Sequence, residues 1–368
     1  MKKKILISYI SYSNTSKSVA YKIYDKLDKS KYVVSLIDLS MYGSKVNMFN
    51  SFLFKNNLEV ISSLFLKLVN NKFVSNGYEK QSIKCFDSKE LRGVFSTFNP
   101  DLVVSTHYSV GYIVGYYNKM KITNSKIISI VSDYTAHSSW IMNSKEIDKF
   151  VVGSEIIKSD FVKKGVDKSI IYSYGLPSSL SESTEDKCIT LKKYSLKNDK
   201  PIYLFFADII NGYEYFKSIT KSELDVYFIV LTSKNSELKS KCEEYIYKND
   251  IKNVLVLGYT KDITNLINVS SAIITKPGSS TINECILMCK PLILLNPSNS
   301  SEVFNMKYIL KNHFGMKAKT PISLRRKIKV VLSYPFIMNS YKNRLKKIVS
   351  ISSCENICKL VDSTVNEK

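Results

Sequence analysis

The fold is decided by Ile273-Ile274-Thr275-Lys276-Pro277-Gly278-Ser279-Ser280-Thr281-Ile282-Asn283-Glu284. Its apolar start predicts a short buried strand, its Pro-Gly pair predicts a turn, and the rest predicts the start of a helix. Thr281 and Glu284 have the spacing of a capping box, which would place the helix start at Thr281. A strand that leads directly into a helix is typical of a parallel α/β sheet.

The turn in this stretch is a candidate anion site. Backbone N–H groups point outwards at the start of a helix, and the helix dipole adds partial positive charge, so a phosphate group would bind there. Glu284, one turn into the helix, would accept hydrogen bonds from sugar hydroxyls. The alternative is a helix cap without a ligand, and the residues alone favour the two equally.

Strand and helix signals alternate along both halves of the chain. Strands are predicted at residues 4–9, 32–38, 100–106, 126–131, 149–153 and 170–174, with a first helix at 16–27. A second series follows at 201–206, 226–231, 253–257, 272–275 and 291–295. This alternation predicts two α/β domains in tandem with parallel sheets facing a central cleft.

A large positive charge is the one unusual property of the composition. The 368 residues carry 54 Lys and Arg against 32 Asp and Glu, a formal net charge of +22. The excess is even, with 25 basic and 14 acidic side chains in residues 1–180 and 29 and 18 in residues 181–368. Such a charge indicates an anionic partner. Because Lys far outnumbers Arg, the usual reader of base edges, we expect no nucleic acid.

Two segments are candidates for docking on an anionic membrane surface. Residues 45–72 combine apolar bulk with four lysines and a single acid, Glu59. Residues 307–347 hold twelve basic side chains, and no acid occurs between Glu302 and Glu355. The alternatives are a helix packed on its own sheet for the first segment and a solvated lysine-rich face for the second.

The cysteines and the hydropathy indicate a cytoplasmic protein. Seven cysteines stand at positions 85, 188, 242, 285, 289, 354 and 358, an odd number whose spacings favour core packing over disulfides or metal. We therefore expect no metal site built from these cysteines. No apolar run reaches about 18 residues, and the apolar run at the start ends at Ser8, too early for a signal peptide. The predicted location is cytoplasmic, peripheral on the inner face of the cell membrane.

The stretch that decides the fold also carries a resemblance. ITKPGSSTINECILMCKPLILLNP, followed by Glu302 and Asn305, resembles the donor-site segment of the diacylglycerol glycosyltransferases and monogalactosyldiacylglycerol synthases of glycosyltransferase family 28. That segment has the pattern T-K-P-G-G-x-T-x-x-E-A, then G-x-P, then G-Q-E-x-x-N. This chain departs from it at Ser279 and at Ser300 and Ser301.

The first half of the chain is also similar to that family. PDLVVSTHYS resembles P-D-x-x-x-S-T-H-P, with Tyr108 in place of the proline. VSDYTAHSSW resembles T-D-x-x-x-H-x-x-W and ends at Trp140, the only tryptophan. The matching segments run in family order from about residue 1 to 320.

The resemblance implies a GT-B fold of two Rossmann-like domains. It implies an acceptor-binding domain at 1–178 with a membrane-docking insertion at about 43–75, and a UDP-sugar-binding domain at 201–334. Residues 179–200 are predicted as a linker, and residues 335–368 as helices that cross back to the first domain. The implied activity is an inverting, metal-independent transfer of a hexose from a UDP-sugar to a lipid, most simply diacylglycerol, at the membrane surface. The UDP-sugar is a co-substrate, and the resemblance implies no metal and no cofactor.

Individual roles follow from the matched positions. Diphosphate contacts are implied for Gly278, Ser279, Ser280 and Thr281, ribose contacts for Glu284, and sugar contacts or loop support for Glu302 and Asn305. Gly258, Lys276 and Pro277 complete the implied donor site. The catalytic candidates are His107 and His137 as bases and Asp133 as their orienting group or an alternative base, although a histidine in such a loop is also commonly structural.

One departure concerns the acceptor side. The family's first loop contains Gly-Asn-Gly-His, whereas this chain has Ser13, Asn14, Thr15 and Ser16. Together with Tyr108 and Trp140, these four residues are the predicted acceptor contacts. The turn at 207–212 also has fewer glycines than the family pattern. The loss leaves two further hypotheses open, a catalytically impaired protein that binds UDP-sugar or a partner, and the same chemistry on another acceptor.

Overall fold

The structure is a computed structural model that describes residues 2–43, 83–177, 185–197, 199–221, 224–298, 300–349 and 352–367. Apart from residue 43, the predicted membrane-docking insertion at about 43–75 lies outside the described residues, and so does the whole of the predicted docking segment 45–72. Within the described ranges, no helix is long and apolar enough to cross a membrane.

The chain divides into two compact units. The first is Met1–Ser179 with Asn299–Ser301 and Ser350–Lys368, and the second is Leu180–Ser298 with Glu302–Val349. The unit boundary near residue 179 lies beside the predicted boundary at 178. The predicted C-terminal segment 335–368 is divided, with 335–349 in the second unit and 350–368 in the first.

The first unit is built on a six-stranded parallel sheet in the order β2-β1-β3-β4-β5-β6. The strands are β1 (Lys3–Tyr9), β2 (Tyr32–Asp38), β3 (Leu102–Ser105), β4 (Lys126–Ile130), β5 (Lys149–Val151) and β6 (Ile171–Tyr172). The helices between them are α1 (Asn14–Lys26), α2 (Lys89–Phe98), α3 (Tyr108–Lys119), α4 (Ser138–Ile141) and α5 (Glu155–Lys163). Strand β3 is buried along its whole length, as expected for a parallel strand with helices on both faces.

The second unit holds another six-stranded parallel sheet, in the order β12-β11-β10-β7-β8-β9. Its strands are β7 (Ile202–Phe206), β8 (Tyr227–Leu231), β9 (Val254–Leu257), β10 (Ala272–Thr275), β11 (Leu292–Leu294) and β12 (Gly315–Lys317). Its helices are α6 (Lys187–Lys193), α7 (Gly212–Thr220), α8 (Ser236–Lys248), α9 (Ile263–Val269), α10 (Ser279–Leu287), α11 (Ser300–Lys311), α12 (Pro321–Ser333) and α13 (Phe336–Lys346).

The predicted strands are confirmed, and two elements differ from the sequence predictions. Strand β12 was not predicted, because its three residues carry no alternation that marks a strand. Helix α6 forms inside the segment predicted as an irregular linker, where Asp186 accepts a hydrogen bond from the N–H of Cys188 and caps the helix. The chain ends in α14 (Ser353–Asn366), which packs on α1 of the first unit.

Each sheet has one point where the strand order reverses. In the first unit it lies between β1 and β3, and in the second between β7 and β10. Open parallel sheets bind ligands beyond the carboxyl ends of the strands at such a point. The candidate ligand-binding segments are therefore those that follow these four strands, near residues 10–16, 106–108, 207–212 and 276–279.

Candidate functional site

The loop after β1 is organised by serine side chains. Ser13 caps α1, where its hydroxyl accepts a hydrogen bond from the N–H of Ser16 at 3.3 Å. The Ser16 hydroxyl is fully buried, 2.8 Å from the Thr106 hydroxyl, and accepts from the N–H of Ile10 at 3.3 Å. Ser16 thus joins the end of β1 to the end of β3 inside the fold. The Ser16 side chain is therefore buried away from any acceptor substrate, whereas Asn14, the second predicted residue of this loop, is exposed.

His107 follows β3 and caps α3. Its Nδ1 accepts a hydrogen bond from the N–H of Ser109 at 3.2 Å, so the neutral ring carries its proton on Nε2. Burial, helped by repulsion from His137 and opposed by the charge of Asp133, lowers the pKa of His107 to about 4. At neutral pH, His107 is therefore an uncharged imidazole whose Nε2 carries the N–H group.

Asp133, after β4, joins two of the predicted site residues. One of its oxygens, Oδ2, lies 3.1 Å from Nε2 of His137 and accepts a hydrogen bond from Nε1 of Trp140 at 2.9 Å. Burial alone would raise the pKa of Asp133, but these hydrogen bonds and the nearby imidazoles bring it down to about 2. The group is a carboxylate at neutral pH and orients the His137 ring.

His137 is left with an unusual second nitrogen. Its Nε2 faces the Asp133 carboxylate, and its Nδ1 is buried without a hydrogen-bond partner among the described residues. When Nε2 carries the proton, Nδ1 has a lone pair and is a base. An unsatisfied buried acceptor is costly, and such groups concentrate at functional sites.

Aromatic rings surround these histidines. The Tyr108 ring lies 4.0 Å from the His107 ring, 5.5 Å from the His137 ring and 5.7 Å from the Trp140 ring, measured between centroids. Trp140 is buried. The structure therefore brings together five predicted residues of the first unit, namely His107, Tyr108, Asp133, His137 and Trp140, at the carboxyl ends of β3 and β4.

The turn that the sequence predicts as the donor site lies between β10 and α10 of the second unit. Helix α10 begins at Ser279 with Gly278 as its N-cap, and no side chain caps it. The predicted capping box of Thr281 and Glu284 is therefore wrong, because the helix starts two residues earlier and Thr281 already lies inside it. An uncapped start leaves the first N–H groups, those of Ser279, Ser280 and Thr281, to an external acceptor.

Glu302 braces this turn from α11. Glu302 is buried, and its carboxylate accepts hydrogen bonds from the N–H of Ser298 at 2.6 Å and from the hydroxyl of Ser298 at 2.8 Å. The carboxylate also lies 3.2 Å from Nζ of Lys276. Lys276 also donates to the Ser298 hydroxyl at 3.3 Å. The lysine side chain remains 42% exposed, so its ammonium group is held at the turn yet open to a ligand. Sequence reasoning missed Ser298, whose N–H and hydroxyl both meet the Glu302 carboxylate only in the folded structure.

Asn305 ties α11 to the same turn. Its Nδ2 donates to the carbonyl of Pro277 at 3.0 Å and to the hydroxyl of Ser279 at 2.8 Å. The side chain is 1% exposed, and its Oδ1 has no hydrogen-bond partner in the described part of the chain. Of the two implied roles for Glu302 and Asn305, these contacts correspond to support of the loop.

The glycines at two further turns of the second unit differ in how closely their neighbours pack. Gly258 follows β9, and an added Cβ would make only ordinary contacts there, 3.6 Å from Lys239. At the turn after β7, however, an added Cβ on Gly212 would lie 1.9 Å from the carbonyl oxygen of Ala207, so only glycine fits. Asn211 supplies the left-handed residue of that turn, with φ of 59°. Among the described residues, no three His, Cys, Asp or Glu side chains converge to hold a metal ion.

Comparisons with known proteins match both units. The model of the family described as monogalactosyldiacylglycerol (MGDG) synthase matches residues 14–177, and that of the glycosyltransferase family 28 C-terminal domain matches residues 213–316. A processive diacylglycerol beta-glucosyltransferase of Staphylococcus haemolyticus is 26% identical over 388 residues, covering 100% of this chain and 95% of the relative. Its counterpart from Staphylococcus epidermidis is 28% identical over 251 residues, 67% of this chain and 63% of the relative.

The chain belongs to the diacylglycerol glycosyltransferases of glycosyltransferase family 28. It is accordingly a glycosyltransferase, as the resemblance predicted. The turn at 276–281, Glu302 and Asn305 lie within the matched C-terminal domain, and the group from His107 to Trp140 lies within the residues matched by the first model.

Solved structures confirm the GT-B fold. MurG of Acinetobacter baumannii aligns with a TM-score of 0.63 at 11% identity and covers 98% of this chain and 99% of that one. MnaA of S. aureus, solved with UDP, aligns with a TM-score of 0.64 at 12% identity and covers 99% and 97%. At these identities, the likeness concerns the fold alone.

Proposed function

We propose that this protein transfers a hexose from a UDP-sugar to a lipid acceptor, most simply diacylglycerol, at a membrane surface. The observation that carries the donor half is the uncapped start of α10 beside the tethered ammonium group of Lys276. Outward N–H groups, a helix dipole and a lysine together suit the two negative charges of a diphosphate. The relatives named above act on diacylglycerol by their names, which favours a lipid acceptor.

The proposed chemistry is an inverting displacement. The acceptor hydroxyl forms a bond to the anomeric carbon of the sugar while the bond from that carbon to the UDP oxygen breaks. UDP leaves with the electron pair, and the hydroxyl proton passes to a base. The group at α10 and Lys276 would stabilise the negative charge that develops on the leaving phosphate, which needs no metal ion.

His137 is the base that we propose. Its Nε2 is occupied by the Asp133 carboxylate, and its Nδ1 is an acceptor that lacks a partner. His107 suits the complementary role, because its Nδ1 is engaged by Ser109 and its Nε2 is a donor. A donor at that position would hold a hydroxyl or phosphate oxygen, and the low pKa keeps the ring neutral.

A second candidate is the same chemistry on another acceptor, such as a polyprenyl-linked lipid or a small molecule. The loop Ser13–Ser16 favours it, since Ser16 is a buried structural residue where the family pattern has histidine. A catalytically impaired binding protein is the third candidate. Both are separated from the first by the products formed from a cell lipid extract.

Initial rates of UDP release test the assignment of the base. In His137→Gln, the amide nitrogen can still donate to Asp133 while the Nδ1 lone pair is lost. We expect kcat to fall by about 10²-fold or more with little change in UDP affinity. His313→Asn, on an exposed turn with φ of 54°, is the matched control and should leave kcat unchanged. Equal rates for His137→Gln and the wild type would exclude His137 as the base.

The proposed location is peripheral, on the inner face of the cell membrane, with an anionic lipid surface as partner. The even charge excess of the sequence supports it. Binding to anionic vesicles that weakens as salt rises is the expected result. Binding that does not depend on salt would contradict this use of the charge.

A further inference from the structure

We propose that one surface of the second unit, at the junction of α12 and α13, docks on an anionic lipid bilayer. This surface, the corner face, is defined by seven exposed residues: Ile322, Arg326, Lys329, Val330, Ser333, Tyr334 and Phe336. The inference rests on the proposed function, because a lipid acceptor requires the enzyme to meet a membrane. It goes beyond that function by assigning the membrane contact to particular residues of the second unit.

The spacing of the exposed residues places them on one side of α12. Positions 322, 326, 329, 330 and 333 follow the i, i+4, i+7, i+8, i+11 pattern of a single helical stripe. The other side of the helix carries Leu324, Ile328 and Val331, which are buried in the core of the unit. Directly after the helix in sequence come Tyr334 and Phe336, which are also exposed, at the turn that starts α13.

The corner face exposes four apolar side chains. Ile322 is 55% exposed, Val330 47%, Tyr334 55% and Phe336 67%. The Tyr334 and Phe336 rings contact each other at 6.0 Å and 70° instead of turning inwards. Single exposed apolar residues are ordinary, but a group that includes two aromatic rings marks an interaction surface. Aromatic rings of this kind are enriched where proteins enter the headgroup region of a bilayer.

Basic side chains, Arg326 and Lys329, lie on the same exposed stripe of α12 as the apolar residues. No acid occurs in the sequence between Glu302 and Glu355. In the described part of the chain, no ion pair involves the basic residues of α12 and α13, which are Arg325, Arg326, Lys327, Lys329, Lys342, Arg344 and Lys346. By contrast, Lys239, Lys241 and Lys248 of α8, in the same unit, each pair with a glutamate four residues away.

This combination selects an anionic bilayer over other occupants. A second copy would bring the same positive charges together, which opposes self-association. Nucleic acid would use the cations but would leave Ile322 and Val330 exposed, since aliphatic side chains do not stack on bases. A bilayer with acidic headgroups accepts both, the cations at its surface and the apolar side chains in its interface.

Co-sedimentation with vesicles tests the assignment with the full-length protein. Wild-type protein should bind vesicles of mixed phosphatidylglycerol and phosphatidylcholine and lose binding as salt rises. Tyr334→Ser with Phe336→Ser should lower the partition coefficient at least tenfold, and Arg326→Gln with Lys329→Gln roughly fivefold for each charge. The matched controls are Tyr247→Ser, whose ring is 88% exposed on α8, and Lys241→Gln with Lys248→Gln, and both should bind like the wild type.

A tryptophan probe tests the same surface without relying on a loss of vesicle binding. Phe336→Trp should show a blue shift and quenching by brominated lipids on anionic vesicles, whereas Tyr247→Trp should show neither. Wild-type binding by the Ser and Gln variants, or no response of Phe336→Trp, would overturn the assignment. So would self-association through this face in light scattering, or duplex DNA that binds it while vesicles do not.

Activity in free solution separates this inference from the proposed function. The corner-face variants should transfer sugar normally to a short-chain diacylglycerol below its aggregation limit, and lose transfer only to vesicle-embedded acceptor. If the proposed function fails while the inference holds, the wild type will bind vesicles through this face yet make no glycolipid from either acceptor. If only the inference fails, the variants will match the wild type on both acceptors.

Discussion

Replacing Asn305 with alanine should weaken the binding of UDP itself, even though Asn305 is 1% exposed. The substitution removes the two hydrogen bonds that tie the turn to α11, at 3.0 Å to Pro277 and 2.8 Å to Ser279. Each is worth about 1 kcal/mol net, so the turn loses about 2 kcal/mol of support. If UDP binds only the ordered turn, the dissociation constant rises by up to about 30-fold.

Calorimetric titration with UDP and with UDP-hexose distinguishes the two implied roles of Asn305. Loop support predicts that both ligands lose affinity by the same factor, whereas a direct sugar contact predicts a loss for UDP-hexose alone. Asn312→Ala is the matched control, because Asn312 directly follows the last residue of α11 and its side chain donates to the carbonyl of Tyr308 of that helix, at 2.8 Å, away from the turn. Its UDP affinity should remain that of the wild type. Unchanged UDP affinity in Asn305→Ala would refute the reasoning.

Three further predictions concern pH, the buried serine and metal ions. The pKa of His107 is about 4 in the folded protein and 6.5 ordinarily, so the unfolded chain binds this proton first as pH falls. The free energy of unfolding, measured with urea, should therefore be about 2 kcal/mol lower at pH 5 than at pH 7. His107→Gln should abolish this difference. The low pKa of Asp133 lowers the free energy of unfolding further only as pH falls from 3.8 towards 2. Ser16→His should lower the free energy of unfolding by about 1–3 kcal/mol through overpacking, and wild-type stability with raised turnover would contradict the buried role. Transfer should persist in excess EDTA, and activity restored only by Mg²⁺ would show that Lys276 and α10 do not suffice.

The regular part of the fold was predictable because its signals are local. Short apolar runs such as residues 102–105 alternate with helical stretches, and parallel strands with helices on both faces need little more. Strand β12 escaped prediction because three residues carry no period. The helix start at Ser279 was not predicted, because Thr281 and Glu284 have the spacing of a capping box although the N-cap is Gly278.

The candidate site was predictable in composition but not in contacts. The family pattern marked Asp133, His137 and Trp140, yet only the structure shows that two of them donate to the same carboxylate oxygen. It likewise shows Ser16, which the pattern placed opposite an acceptor, bonded to the Thr106 hydroxyl in the interior. Contacts between residues about 90 positions apart depend on strand order, which no local spacing encodes.

The central claim is sugar transfer from a UDP-hexose to diacylglycerol, and one product measurement tests it most directly. Purified protein is incubated with UDP-glucose or UDP-galactose and anionic vesicles that contain diacylglycerol, and the lipids are analysed by mass spectrometry and NMR. The account predicts a hexosyl-diacylglycerol whose anomeric configuration is β, opposite to that of the α-linked donor. No glycolipid with either donor, under conditions in which a related enzyme works, or a product with retained α configuration, would contradict it.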